Sequence, residues 1–398
     1  MLSRWHYEGR STRDLRIDWL RGLAMACVII DHSRISSLLA WFSYQRFWTV
    51  TAAEVFVVLS GVVLGMVYGG KLLRVGWHGV VTGLGRRALT LYLAFVGVTL
   101  AVLGLSLAGI DVSPVTAWDD GTTDLSPCFF DPPMVNTTVL ARVALMRCGP
   151  WPFTIVGLYV WLVAAAIPAL LLLHKAGWRR LLAVSWTLYA IYQFAPRALT
   201  MGAFEGTFPI LAWQLLFVHG LTIGYHRDRL AAFVAGCPRT LSIAAFAASA
   251  AFAVLAMCNP WTHGPSALHW NIVPPDRFED LYYRFFTLPD LGIGRLLNLA
   301  VALPVGYAML TRLWGMVRPL GAIFVTLGQQ SLGAFVLHVF GILTIAHLLP
   351  ERNAFWMGTI LQVALIVAIA AVLNAASSLR RPRPAFASVE ASLGHSAS

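Results

Sequence analysis

Apolar windows close to 20 residues long recur along the chain at roughly 19–39, 47–69, 87–109, 152–173, 180–196, 208–225, 240–258, 292–313, 320–348 and 355–378. That is the length an α-helix needs to cross a hydrocarbon core about 30 Å thick. Polar, basic or Pro/Gly-containing intervals separate the windows. The pattern predicts an all-α fold: a polytopic membrane bundle of about ten transmembrane helices. The fifth and sixth windows are the weakest, because Pro196, Arg197, Glu205 and Pro209 crowd between them. No internal repeat is visible, which weighs against the two-halved secondary transporters. Residues 1–380 read as one integral-membrane domain. The Ala/Ser-rich segment 381–398 reads as a disordered tail.

Composition agrees with the pattern. Of 398 residues, 58% are hydrophobic and 12% charged, and mean hydropathy is +0.70. A soluble domain carries about 25% charge. The net charge of +11 would suggest nucleic acid in a soluble protein. Here it is topological, so the expected partner is the bilayer and not nucleic acid. With the N-terminus inside, the inward segments hold 20 of the 29 Lys and Arg residues, including Arg16, Arg21, Arg86, Arg87, Arg179, Arg180, Arg227, Arg381 and Arg383. The positive-inside rule therefore predicts both termini on the cytoplasmic side of the membrane. The first 15 residues are polar and basic, and the first span reads as a retained helix rather than a cleaved signal.

Ionisable groups inside these windows are costly and tend to mark function. The first span carries Arg16, Asp18, Arg21, Asp31 and His32. Arg21 and His32 are eleven residues apart, so they share one helix face about 16 Å apart along the axis. Asp18, Met25, Val28 and Ile29 share that stripe. A cation near the inner surface and an imidazole near the outer one look like two ends of a substrate path. Glu54, early in the second span, falls at a matching depth and is expected to orient the His32 ring. Asp31 lies 100° around the helix and is the alternative partner. Ser60 and Gly61 follow on the second span, where small residues allow close packing. Arg86 and Arg87 open the third span, and paired Arg forks suit phosphate. Arg295, Asn298, Ser331 and His338 are further polar groups in apolar surroundings. Ser331 and His338 are two turns apart on one face.

Two long outer loops, near 110–151 and 259–291, mix aromatic rings with carboxylates, the chemistry of a sugar-binding surface. Their acids include Asp119, Asp120, Asp124, Asp131, Asp276, Glu279 and Asp280. Cys128 and Cys148 share the first of these loops, so a disulfide between them is one alternative. No Cys/His cluster has metal-ligand spacing, and no Walker, Gly-x-Ser-x-Gly or HExxH motif is present.

Arg16-x-Asp18-x-x-Arg21-Gly22 with Asp31-His32, followed by Thr51-Ala-Ala-Glu54-Val-Phe56-Val-Val-Leu-Ser60-Gly61, resembles the OpgC family, the succinyltransferases of osmoregulated periplasmic glucans. Arg86-Arg87, Trp213-Gln214-Leu215-Leu216-Phe217 and Leu327-Gly328-Gln329-Gln330-Ser331 with His338 extend the likeness over nearly the whole chain. The family is similar to the ten-span acyltransferase-3 superfamily, in which an Arg-x10-His pattern in the first span carries the catalytic histidine. Arg21 and His32 have that spacing. The superfamily's Arg-x-x-Arg at the third span is not reproduced by Arg86-Arg87.

The resemblance implies a membrane O-acyltransferase that moves an acyl group, with succinyl favoured, from cytoplasmic acyl-CoA to hydroxyls of a periplasmic glucan. His32 would be the general base, with Glu54 or Asp31 orienting it. Arg16, Arg21, Arg86 and Arg87 would receive the CoA end. Asp18, Ser60, Arg295, Asn298, Ser331 and His338 are substrate or oxyanion candidates. A succinyl carboxylate would call for a cation on the outer side, from Arg34, Arg46 or Arg295. No metal is expected. A glycan transporter or flippase is the alternative reading.

Overall fold

The computed structural model describes residues 14–43, 45–117, 135–262, 269–348 and 355–380. The expected tail at 381–398, together with Cys128, Asp119, Asp120, Asp124 and Asp131, lies outside the described residues. The described residues fold into helices and connecting turns, with no strand among them. We number the principal helices α1 Leu15–Ser33, α2 Ala52–Leu72, α3 Gly76–Leu107, α4 Thr154–Ala176, α5 Trp178–Phe194, α6 Ile210–Tyr225, α7 Arg239–Met257, α8 Pro275–Phe285, α9 Ile293–Arg312, α10 Gly321–Gln329, α11 Ser331–Leu348 and α12 Phe355–Arg380.

Seven described segments are long and apolar enough to cross a membrane: α2, α3, Trp151–Ala176, α7, α9, α11 and α12. That is three fewer than the ten expected windows, for two physical reasons. Helix α1 carries Arg16, Asp18, Arg21 and Asp31, which lower its hydropathy. Helices α5 and α6 are short, at 17 and 16 residues. The window at 320–348 keeps its span as α11, although Gln330, with φ −112° and ψ 37°, separates α10 from it.

Helices α2 and α3 run almost without interruption. The chain reverses at Gly76, where φ is +69°. That left-handed conformation is open to glycine at little cost. At 32 residues, α3 is about 48 Å long, several turns more than a hydrocarbon core of about 30 Å requires.

Two glycine contacts set the bundle. Gly61 and Gly65 of α2 face Gly220 and Gly224 of α6, and a Cβ at any of the four would overlap a backbone carbonyl of the other helix. This is reciprocal small-xxx-small packing, in which backbones approach closely. Gly22 of α1 meets the Phe324 carbonyl of α10, and Gly328 of α10 meets the Asp18 carbonyl of α1. Packing therefore accounts for Gly61 and Gly65. Since the obstruction at Gly328 is backbone, Gly328→Ala should destabilise by about 1–3 kcal/mol or more. Melting followed by size-exclusion in detergent should show the loss, and an unchanged transition would mean that the two helices move apart freely.

Candidate active site

Helix α1 starts at Asp14, whose carboxylate caps the Arg16 amide at 3.0 Å. It ends at Arg34, held left-handed with φ 51°. Asp18 and Arg21 are buried and form an ion pair one turn apart at 4.0 Å. Burying such charges is tolerable only when they are paired and hydrogen-bonded.

The stripe through Arg21 and His32 meets α11. Arg21 Nη2 donates to Ser331 Oγ at 2.9 Å. Eleven residues further on, His32 Nδ1 lies 3.2 Å from His338 Nε2. Both pairings advance in the same chain direction, so α1 and α11 run parallel. Helix α1 rises about 16 Å between its two polar groups and α11 about 10 Å. The long Arg21 side chain spans the difference. Met25, Val28 and Ile29, buried on α1, fill the space between the two polar pairs.

Aromatic rings wall this stripe. The Arg21 guanidinium sits 5.2 Å from the centroid of the Phe56 ring. Phe56 meets Phe335 edge-on at 5.2 Å and Tyr159 at 5.8 Å. Phe335 in turn meets His338 at 5.6 Å. Ser60 is buried one turn beyond Phe56 on α2. On its other side, the His32 ring meets Trp151 edge-on at 4.9 Å. The Arg34 guanidinium lies 4.5 Å over the same indole. Trp151 is held by its Nε1–H, which donates to the Pro114 carbonyl at 3.2 Å.

Glu54 does not take the place expected of it. Its Oε1 accepts from Arg295 Nε at 2.6 Å, and the two form a buried ion pair. Its Oε2 accepts the Thr51 amide at 2.8 Å and also bonds the Thr51 hydroxyl. Glu54 thus closes a capping box at the start of α2, and the His32 ring turns to His338 instead. Arg295 is also committed. It is 1% exposed, and its Nη1 donates to the Phe286 carbonyl at 3.1 Å. A buried, neutralised guanidinium is not a receptor for a further carboxylate. Asn298 belongs to the same cluster: its Nδ2 donates to Thr49 at 2.7 Å, and its buried Oδ1 has no hydrogen-bond partner among the described residues. Arg46 donates to the Trp41 carbonyl at 2.9 Å, and burial lowers its guanidinium below the ordinary arginine range.

Arg16 is tied into the bundle as well. Its guanidinium bonds Asp14 at 2.8 Å and 2.9 Å and Thr311 at 3.2 Å, over the Tyr307 ring. Arg86 and Arg87 are exposed on α3. Asp31 is partly buried beside His32. Cys148 is disulfide-bonded, while Cys128, its expected partner, lies outside the described residues. Among the described residues, no His, Cys, Asp and Glu side chains converge as a metal-ligand group.

Two features escaped the sequence reading. The Thr51-x-x-Glu54 spacing is itself a capping-box signal and pointed to a local role for Glu54. Trp151 had no local signal; it is found only because α4 brings it to the end of α1. In the segment between α7 and α9, Trp261 meets Tyr282 at 4.9 Å and Phe278 at 5.7 Å, and Tyr283 at 6.0 Å. Trp261 is 44% and Tyr283 63% exposed, so these rings keep open faces.

A family model described as OpgC protein matches residues 13–381. No curated protein and no solved structure matches the chain.

Proposed function

The chain belongs to the OpgC family, and from that premise we propose that it is a membrane O-acyltransferase transferring an acyl group from acyl-CoA to a periplasmic glucan, with His32 as general base. One observation carries the reading: the His32 imidazole is hydrogen-bonded to His338 on the helix stripe that also holds the buried Arg21. The parallel course of α1 and α11 agrees with their places as first and ninth of ten alternating spans. In that topology the Arg21 end faces the cytoplasm and the His32 end the periplasm.

The donor enters from the Arg21 end, where the exposed Arg86 and Arg87 supply positive charge for its phosphates, while Arg16 and Arg21 are already paired with Asp14 and Asp18. Ser60 and Ser331 line the route toward His32. The glucan hydroxyl approaches from the Trp151 end. His32 takes the hydroxyl proton through the ring nitrogen that His338 does not engage, as the oxygen attacks the thioester carbonyl. When the tetrahedral intermediate collapses, the C–S bond breaks and the proton passes from His32 to the departing CoA sulfur. The products are the ester and free CoA, and His32 is again neutral. Arg34, stacked on the indole that touches His32, is the cation placed for a succinyl carboxylate; Arg295 is excluded by its pairing with Glu54. The open rings of Trp261 and Tyr283 suit stacking on sugar faces.

Purified protein given labelled succinyl-CoA and glucan should transfer label to the glucan. Absence of transfer would favour the glycan-transporter alternative. Arg86→Glu combined with Arg87→Glu should weaken CoA binding at least about tenfold, or about 1.4 kcal/mol. Unchanged affinity in a direct titration would make these residues topological anchors only.

A further inference from the structure

His338 has a second hydrogen bond besides the one to His32. Its Nδ1 lies 2.6 Å from the carbonyl oxygen of Phe335, one turn back on the same helix. A carbonyl can only accept, so the proton of that bond sits on His338 Nδ1. A neutral imidazole carries one ring proton. His338 Nε2 is therefore an acceptor, and the proton in the contact between the two rings belongs to His32 Nδ1. That leaves the lone pair on His32 Nε2, on the ring edge away from His338.

We propose that His338 is the positioning residue of this site: it fixes His32 as the Nδ1–H tautomer and presents Nε2 as the base. The proposal rests on the acyltransferase reading for its catalytic consequence, but not for the tautomer itself. The relay runs from the Phe335 carbonyl through His338 to His32. It has the logic of a catalytic triad in which a third group orients the imidazole and sets its tautomer. The third group is here a neutral imidazole instead of a carboxylate.

The position of His338 explains that choice. Its side chain is 0% exposed on a bundle helix, between the Phe335 ring and His32. An ionised carboxylate at such a site would need full compensation. A neutral ring whose proton is satisfied by its own helix needs none. When His32 gains a proton, its Nδ1–H bond to His338 Nε2 becomes charge-assisted and strengthens. His338 thus favours the state in which His32 is protonated without itself becoming charged.

The bond to the Phe335 carbonyl also pins the His338 ring. The acceptor therefore does not depend on a rotamer that must be found anew in each cycle. The same geometry explains why Glu54 is not needed near His32. Its capping and ion-pair roles occupy both of its oxygens.

The test combines two readouts on the full-length protein in lipid nanodiscs. Nitrogen-15 NMR of histidine-labelled protein, with the His32 signal assigned by its loss in His32→Gln, should show His32 protonated at Nδ1 and bare at Nε2. In His338→Ala that preference should disappear. Kinetically, His338→Ala should lower kcat by about 10–100-fold, the usual cost of losing an outer partner that orients a functional imidazole, with the KM for acyl-CoA unchanged. His338→Gln can place its Oε1 near the lost Nε2 and should restore kcat to within about threefold of wild type; a merely structural role would not sort Gln from Ala by kcat alone. Wild-type His32 protonated at Nε2 would overturn the proposal. So would equal loss of kcat in folded Gln and Ala variants. If His338→Ala elutes as aggregate, the wild-type tautomer and the Gln variant still decide. If the wild type transfers no label at all, the acyltransferase reading fails, while the tautomer remains measurable.

Discussion

His32→Ala is expected to leave a folded protein whose acyl transfer to glucan falls by about 10²–10⁴-fold, the contribution of a positioned general base. Folding should survive because His32 gives up one hydrogen bond, to His338, and a ring contact with Trp151. Leaving His338 Nε2 without its donor costs about 1–3 kcal/mol. That is a modest fraction of the stability of a bundle whose tightest contacts are glycine crossings elsewhere. The measurement is label transfer from acyl-CoA to glucan, with melting and elution as controls. Activity within about tenfold of wild type, in protein that elutes normally, would remove His32 from the chemistry.

Glu54→Gln is expected to act through stability. Gln at this position still closes the capping box with Thr51. It removes the charge that compensates Arg295, which is 1% exposed and bonded to Glu54 Oε1 at 2.6 Å. Breaking a buried pair from one side costs about 3–5 kcal/mol. The melting temperature in detergent should therefore drop sharply. Adding Arg295→Met removes the orphaned charge, and the double variant should recover most of the loss and retain acyl transfer. Were Glu54 the orienting partner of His32, the double variant would be stable and inactive. That outcome would reverse the assignment of Glu54 to structure. Recovery of neither stability nor activity would mean that the Arg295 bond to the Phe286 carbonyl matters more than the pair itself.

Much of the fold was legible residue by residue. The ten apolar windows coincide with helices or helix pairs. Those that fall short as spans are α1, α5 and α6. The weakness of α5 and α6 was visible in the cluster from Pro196 to Pro209. The interruption at Gln330 was not, because Gln329-Gln330-Ser331 contains no Pro or Gly to mark it. The candidate site was half legible. Arg21 and His32 fall on one stripe by helical geometry alone, and Ser331 and His338 on another. That the two stripes face each other was not readable, nor was the desertion of His32 by Glu54.

The reason lies in what each kind of interaction depends on. Apolar length, helical period and capping residues act over a few neighbouring residues, so the sequence by itself determined the helices, their costly polar stripe and the family. His32 and His338 stand 306 residues apart, and Glu54 and Arg295 stand 241 apart. Such pairs form only after helix crossings bring the side chains to hydrogen-bond distance. In an apolar interior an unpaired polar group is costly, so buried groups favour partners, but that preference does not name the partner. The depth and rotation at which α1, α2, α9 and α11 meet gave Glu54 to Arg295 and His32 to His338, and only the tertiary structure decided that.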